Sequence, residues 1–132
     1  MKPEVMQLAE RLRRAGGWRW LGIYAVGRTE ISLIGWSGPA APAHPRFPKD
    51  RGLCGAAAAA GSPVVVNDVA ADPRYLETLG TTRSEMVVPV KRATGEVVGL
   101  IDVESDRRDA FSPEDVATLE EQAALVAAQL WK

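Results

Sequence analysis

Three acidic residues lie within two stretches that otherwise read as buried β-strands. Glu85 begins an apolar run that ends at Val90, and Asp102 and Glu104 lie two positions apart near the end of the next run. Side chains alternate between the faces of a strand, so Asp102 and Glu104 must share one face. Carboxylates gathered on one sheet face repel one another. The pattern therefore predicts a cationic or donor-rich ligand at this face.

The connection between the two strands indicates which acids meet. Residues 91–96 contain a glycine and polar side chains, which is typical of a tight hairpin. If Lys91 pairs with Glu96, then Glu85 lies opposite Asp102. An alternative stays open, because acids are also common where strands run out into solvent.

The rest of the chain predicts the elements that must position these acids. Helices are expected at residues 2–15, 52–60 and from Ser112 onward, and strands at 18–26, 30–36, 63–66, 84–90 and 97–104. This order predicts an α/β (α+β) sandwich. Its mostly antiparallel central sheet would have about five to six strands, with the N- and C-terminal helices packed on one face.

Two irregular segments interrupt this pattern. Residues 37–50 contain four prolines, which argue against regular helix or strand and predict a surface loop. Residues 67–83 predict a second loop, with one helical turn near Arg74. We expect both loops to close over the acidic face.

Length and charge restrict the function classes. The 132 residues fit one domain spanning 1–132. A net charge of −1 argues against nucleic acid as a partner. The sequence contains neither an apolar run long enough for a membrane span nor a signal-peptide pattern, so we expect no membrane partner and a cytoplasmic location.

The chain has one cysteine, Cys54, and one histidine, His44. These counts exclude an internal disulfide and predict no cysteine-based zinc site, no catalytic triad, and no metal or cofactor. The start of a helix lowers the pKa of a thiol, which would favour reactivity in Cys54. The apolar neighbours of Cys54 instead favour a small buried core residue.

Apolar residues cover more of the surface of the last predicted helix than packing against one neighbour can bury. The residues that widen this apolar surface are Ala117, Ala124, Leu125, Ala128 and Trp131. Such a helix needs a second neighbour, either the first helix or another copy of the chain. A homodimer through the terminal helices is therefore predicted, and a monomer with a small apolar patch is the alternative.

Four stretches together resemble the GAF domain family, a small-molecule-binding module also used in signalling. They are Trp20–Tyr24, Arg51–Gly55, Arg83–Pro89 and Gly99–Ser105. The chain resembles more narrowly the free methionine-R-sulfoxide reductases, which are stand-alone GAF enzymes. The resemblance covers roughly residues 18 to 130.

The resemblance implies a ligand site. The amino group of the ligand would bind Glu85, Asp102 and Glu104, where Glu104 replaces the usual Asp and is longer by one methylene. Trp20 and Tyr24 would pack the apolar end of the ligand. The alternative for the two aromatic residues is that they are ordinary core residues of their strand.

The resemblance also implies catalytic cysteines that this chain lacks. The nucleophile's position is occupied by Thr78 or a near neighbour, a second cysteine would fall near His44, and only Cys54 matches a resolving position. We therefore expect a non-catalytic domain that binds an amino acid or a similar amine. The alternatives are a divergent reductase that uses Cys54 with an external thiol, and a dimerisation module with a vestigial pocket.

Overall fold

One six-stranded antiparallel sheet forms the centre of the structure, a computed structural model that describes residues 1–132. The strands are β1 (Trp20–Val26), β2 (Glu30–Ser37), β3 (Arg46–Pro48), β4 (Val64–Val66), β5 (Ser84–Lys91) and β6 (Val97–Ser105). Their order across the sheet is β3-β2-β1-β6-β5-β4. The long strands β1, β5 and β6, which carry the candidate site residues, lie inside the sheet.

Two of the three helices cover one face of this sheet. The helices are α1 (Pro3–Gly16), α2 (Gly52–Ala60) and α3 (Pro113–Leu130). Leu8 of α1 and Leu119 of α3 are buried in one apolar core with Ile101 of β6. The prediction that the terminal helices pack on one face of an antiparallel sheet is confirmed. None of the helices combines the length and the apolar character that crossing a membrane requires.

The opposite face carries a second, smaller core under α2 and the two irregular segments. Leu53 of α2, Phe47 of β3 and Leu100 of β6 are buried there, together with the aromatic side chains of β1. Strand alternation produces this division, because Leu100 faces α2 while its neighbour Ile101 faces the terminal helices. The candidate site lies on the α2 face.

The ends of α3 follow the sequence signals. The hydroxyl of Ser112 accepts a hydrogen bond from the backbone N–H of Asp115 at 3.2 Å, and the carboxylate of Asp115 accepts one from the backbone N–H of Ser112 at 2.8 Å. This reciprocal arrangement satisfies two of the free N–H groups at a helix start. It fixes the point at which α3 begins and packs against β5.

Two predictions for the irregular segments are wrong. Residues 46–48 form β3 although proline was expected to exclude a strand there. Because β3 is at the edge of the sheet, the missing N–H of Pro48 is tolerated. The helical turn expected near Arg74 instead spans Val69–Ala71. Asp68 starts that turn by accepting a hydrogen bond from the N–H of Ala70.

The predicted register of the β5–β6 hairpin is also wrong. Glu85 lies opposite Glu104, and Asp102 lies opposite Val87. The loop closes with the N–H of Arg92 bonded to the carbonyl of Glu96, which shifts the pairing by one residue. A β-bulge after Val90 shifts it by one more. Two single shifts restore the original face, so the acids still lie together.

Candidate functional site

The three acids are buried side by side on the α2 face. Glu85, Asp102 and Glu104 are 3%, 1% and 1% exposed. Glu85 and Glu104 are cross-strand partners, and Asp102 is two positions from Glu104 on the same face of β6. The alternative that these acids end their strands in solvent is therefore wrong.

Each acid has one fully buried oxygen without a donor, although the side chain of Asp102 also hydrogen-bonds the neighbouring acids Glu85 and Glu104. These oxygens are Oε1 of Glu85, Oδ1 of Asp102 and Oε2 of Glu104. The five ion pairs of the structure all join other residues, so no Lys or Arg neutralises the cluster. Buried charges without a partner are strongly unfavourable. The site is therefore incomplete without protons or a cation.

Burial raises the pKa of all three carboxyl groups. Repulsion adds to this effect, from Glu104 on Glu85, from Glu85 on Asp102, and from Asp102 on Glu104. Thr78 and Thr82 partly oppose the rise in the pKa of Glu104 through hydrogen bonds to its side chain. The hydroxyl of Thr82 donates to Glu104 Oε1 at 2.7 Å. An empty site consequently retains protons that a bound cation would displace.

The aromatic side chains of β1 lie beside the acids. Trp20 is the cross-strand partner of Glu104, and Gly22 is the partner of Asp102. A Cβ atom at Gly22 would lie 2.5 Å from the Trp20 ring and 3.0 Å from the Tyr24 ring. Both rings therefore occupy the space that a side chain at Gly22 would fill, next to Asp102.

These two rings are also fixed by the second core. The indole Nε1 of Trp20 donates to the carbonyl of Ala40 at 3.0 Å. Tyr24 packs edge to face against Phe47, with 5.8 Å between ring centroids. Tyr24 and Trp20 are thus core residues that also flank the acids, so the two sequence interpretations are compatible.

A small cavity of about 10 Å³ lies over two of the acids. Six of its lining residues are Tyr24, His44, Cys54, Thr78, Glu85 and Asp102. Its volume is close to the roughly 10–15 Å³ that one water requires. A larger pocket of about 480 Å³ lies beside Arg51 and α2, and none of the three acids Glu85, Asp102 and Glu104 lines it. In this closed arrangement no organic ligand fits into the cavity over Glu85 and Asp102.

The two irregular segments meet above this cavity. The backbone N–H of Ala43 donates to the carbonyl of Thr78 at 2.8 Å, which joins the proline-rich segment to residues 67–83. His44, which follows Ala43, and Thr78 both line the cavity. A ligand larger than water fits over Glu85 and Asp102 only if this cavity enlarges.

The fold also brings Cys54 to the acids. Its Sγ and one oxygen each of Glu85 and Asp102 all lie within 4.8 Å of one another. Burial raises the pKa of the thiol, and repulsion from Asp102 and the other acids adds to the rise. The helix start was expected to lower this pKa, but burial and the negative neighbours prevail.

Sequence reasoning missed two features of the site. It did not identify Thr82 as a hydrogen-bond donor to Glu104, since threonine in a loop carries no distinguishing pattern. It also did not place Cys54 beside Glu85. The apolar face of α2, which buries Leu53, Cys54 and Ala57, is the signal that could have located the thiol against the sheet.

Known proteins resemble this chain in sequence and in fold. The model of the GAF domain family matches residues 4–130. The type II free methionine-R-sulfoxide reductase of Thermoplasma acidophilum is 33% identical, with a TM-score of 0.87 over 95% of this chain and 88% of that one. The free methionine-R-sulfoxide reductase of Neisseria meningitidis, solved in complex with its substrate, is 35% identical, with a TM-score of 0.86 over 96% of this chain and 75% of that one.

A curated relative has the same activity in its name. The free methionine-R-sulfoxide reductase of Saccharomyces cerevisiae is 32% identical over 110 residues, which cover 81% of this chain and 60% of the yeast protein. Protein YtsP of Bacillus subtilis is 32% identical over 96 residues, covering 73% of this chain and 58% of that protein. The chain thus spans about three-fifths of the length of the curated relatives it matches.

Proposed function

The chain belongs to the GAF domain family, and we propose that it binds a free amino acid or a similar small amine without catalysing a reaction on it. The observation that carries this proposal is the set of three buried carboxyl groups, each with an unpartnered oxygen and none with a cationic partner. A ligand cation would supply the missing charge.

An ammonium group matches this set of acceptors in number, and its single positive charge offsets one carboxylate. It has three N–H donors, and Glu85, Asp102 and Glu104 offer one unpartnered oxygen each. Hydrogen bonds between a cation and a carboxylate are about twice as strong as those between neutral groups. One of the protons held by the acids in the empty site would leave as the ammonium enters, so the net charge of the site stays the same.

The aromatic residues of β1 would receive the rest of the ligand. Tyr24 lines the cavity, and the Trp20 ring lies over Gly22 beside Asp102. An aromatic face next to a cation adds about 0.5–2 kcal/mol of attraction. The related Neisseria reductase was solved with its substrate, and the name of that enzyme specifies a free amino acid derivative. This supports a ligand that carries an unblocked amino group.

The sulfur chemistry of this chain argues against turnover. Reduction of a sulfoxide by a thiol oxidises the protein sulfur, which a second thiol must then reduce. Cys54 is the only cysteine, and burial together with the acids raises its pKa, so that little thiolate forms. Thr78 lines the cavity, and the hydroxyl of a threonine cannot take the place of a nucleophilic thiol.

The binding proposal is tested by calorimetric titration with L-methionine, its sulfoxide and their N-acetyl derivatives, in the presence of a chelator. We expect a free amino compound to bind and its N-acetyl derivative, which lacks the ammonium, to bind at least about 100-fold more weakly. Equal affinity for the two forms would overturn the proposal.

The non-catalytic part is tested separately with free L-methionine-R-sulfoxide and excess dithiothreitol. We expect no methionine above the thiol-only blank. Methionine production that disappears in Cys54→Ala would instead establish a one-cysteine reductase. Because the two assays are independent, binding and turnover can be judged one at a time.

A further inference from the structure

We propose that the same cavity has a second occupant, a divalent metal ion of the Zn²⁺ class bound by Cys54, Glu85 and Asp102. The three potential ligand atoms come from α2, β5 and β6 and lie within 4.8 Å of one another. Nothing in the spacing of these residues along the chain suggests a metal site, since only the fold brings them together.

Both acids of this group have a buried acceptor oxygen without a donor. Oε1 of Glu85 and Oδ1 of Asp102 have no hydrogen-bond partner, and both side chains are at least nine-tenths buried. Cys54 is also buried, with 5% exposure. Buried acceptor atoms without donors are uncommon in folded proteins and call for a bound group.

While the loops are closed, the cavity is large enough for an ion but too small for an organic molecule. Its volume of about 10 Å³ admits one water or one ion. An amine ligand requires the cavity to enlarge, whereas an ion fits the volume that is already present. The closed structure is therefore suited to a metal ion.

The ligand set selects the kind of metal. One sulfur and two carboxylate oxygens suit Zn²⁺ and its substitutes Co²⁺ and Cd²⁺, while Mg²⁺ and Ca²⁺ prefer oxygen ligands alone. Three protein ligands leave one position of a tetrahedral site for water. Glu104 is not one of the residues whose ligand atoms converge here, and it stays outside the ligand set.

This inference does not depend on the proposed amine function. The ion and the amine would share Glu85 and Asp102, so we expect them to compete, but Cys54 takes part only in metal binding. Removal of the thiol therefore separates the two occupants.

The test uses the full chain, first stripped of metal with a chelator that is then removed. Calorimetric titration with Zn²⁺ should show one ion per chain, and Mg²⁺ should show none. Titration with Co²⁺ should produce a thiolate-to-cobalt charge-transfer absorption band. Cys54→Ala should abolish that band and weaken Zn²⁺ binding by about 100-fold or more, since even second-shell changes weaken metal sites by 10–100-fold.

Two further variants complete the design. Asp102→Asn should also weaken Zn²⁺ binding, and circular dichroism shows whether each variant is folded. Glu121→Gln, a carboxylate-to-amide change on the exposed part of α3, should bind Zn²⁺ like the wild type. Absence of saturable Zn²⁺ binding, absence of the charge-transfer band in the wild type, or unchanged Zn²⁺ affinity in Cys54→Ala would overturn the proposal.

The metal result and the amine result fail independently. Amine binding measured in chelator should survive in Cys54→Ala, whatever the outcome with Zn²⁺. If the chain binds Zn²⁺ but no amine, the metal site is supported and the proposed function is refuted. If the chain binds an amine but not Zn²⁺, the proposed function is supported and the metal site is refuted.

Discussion

Replacement of Glu85 by glutamine should stabilise the protein at neutral and higher pH. The facing oxygens of Glu85 and Asp102 lie within 4.8 Å of each other. At an effective dielectric constant near 20, two full charges at that separation repel by roughly 3.5 kcal/mol. Part of this repulsion is already avoided because the acids retain protons. We therefore expect the free energy of unfolding to rise by about 1–3 kcal/mol in Glu85→Gln at pH 8.

The pH dependence has a defined sign. The pKa of Glu85 is raised in the folded protein above its ordinary value of 4.5, so the folded state binds more protons than the unfolded state. The stability that this group contributes is complete below pH 4.5 and declines as the pH rises. The advantage of Glu85→Gln over the wild type should consequently be larger at pH 8 than at pH 5.

The assay is urea unfolding followed by tryptophan fluorescence at both pH values, with EDTA present to exclude metal. Glu121→Gln makes the same chemical change at an exposed position and should alter stability by less than about 0.5 kcal/mol. A loss of 2 kcal/mol or more in Glu85→Gln would refute the reasoning, since the acids would then hold the fold together. An advantage that shrinks as the pH rises would contradict the assignment of raised pKa values.

Three further predictions concern packing and assembly. Gly22→Ala should reduce stability by about 1–3 kcal/mol and weaken amine binding, because the new methyl group would lie 2.5 Å from the Trp20 ring. Thermal unfolding measures the first effect and calorimetry the second. An unchanged melting temperature would contradict the placement of the ring. Leu119→Ala, in the core under α3, should lose about 2–5 kcal/mol in urea unfolding, whereas Leu125→Ala at a 69% exposed position should lose less than about 0.5 kcal/mol. If the terminal helices form a homodimer, Leu125→Glu should convert it to monomers in sedimentation velocity, and an unaltered dimer would exclude this surface.

The division of the sheet into two faces could be predicted from the sequence. Alternation along β6 assigns Leu100 and Asp102 to one face and Ile101 to the other, whatever the exact pairing. The pairing itself could not be predicted, because a bulge after Val90 and the closure of the hairpin at Arg92 depend on local backbone geometry. The predicted faces are still correct because the register shifts by two residues in total and side-chain orientation repeats every two residues.

The contents of the site were only partly accessible from sequence. The acids stand out because charge within an apolar strand is unusual, and the aromatic residues of β1 follow from the same alternation. The position of Cys54 depends on how α2 docks on the sheet, which is a contact between distant parts of the chain. The small cavity depends likewise on the approach of two loops without regular structure, and no periodic pattern encodes that approach.

The hydrogen bond between Ala43 and Thr78 makes ligand capture a question of kinetics as well as affinity. A protein that binds only when open has an apparent dissociation constant equal to the intrinsic constant divided by the open fraction. With one molecule in about a hundred open, apparent affinity falls about 100-fold, which corresponds to roughly 2.7 kcal/mol. Because the closed cavity is too small for an amine, the rate at which the site opens also limits the rate at which an amine can bind. Hydrogen exchange at the Ala43 amide would report how often the site opens.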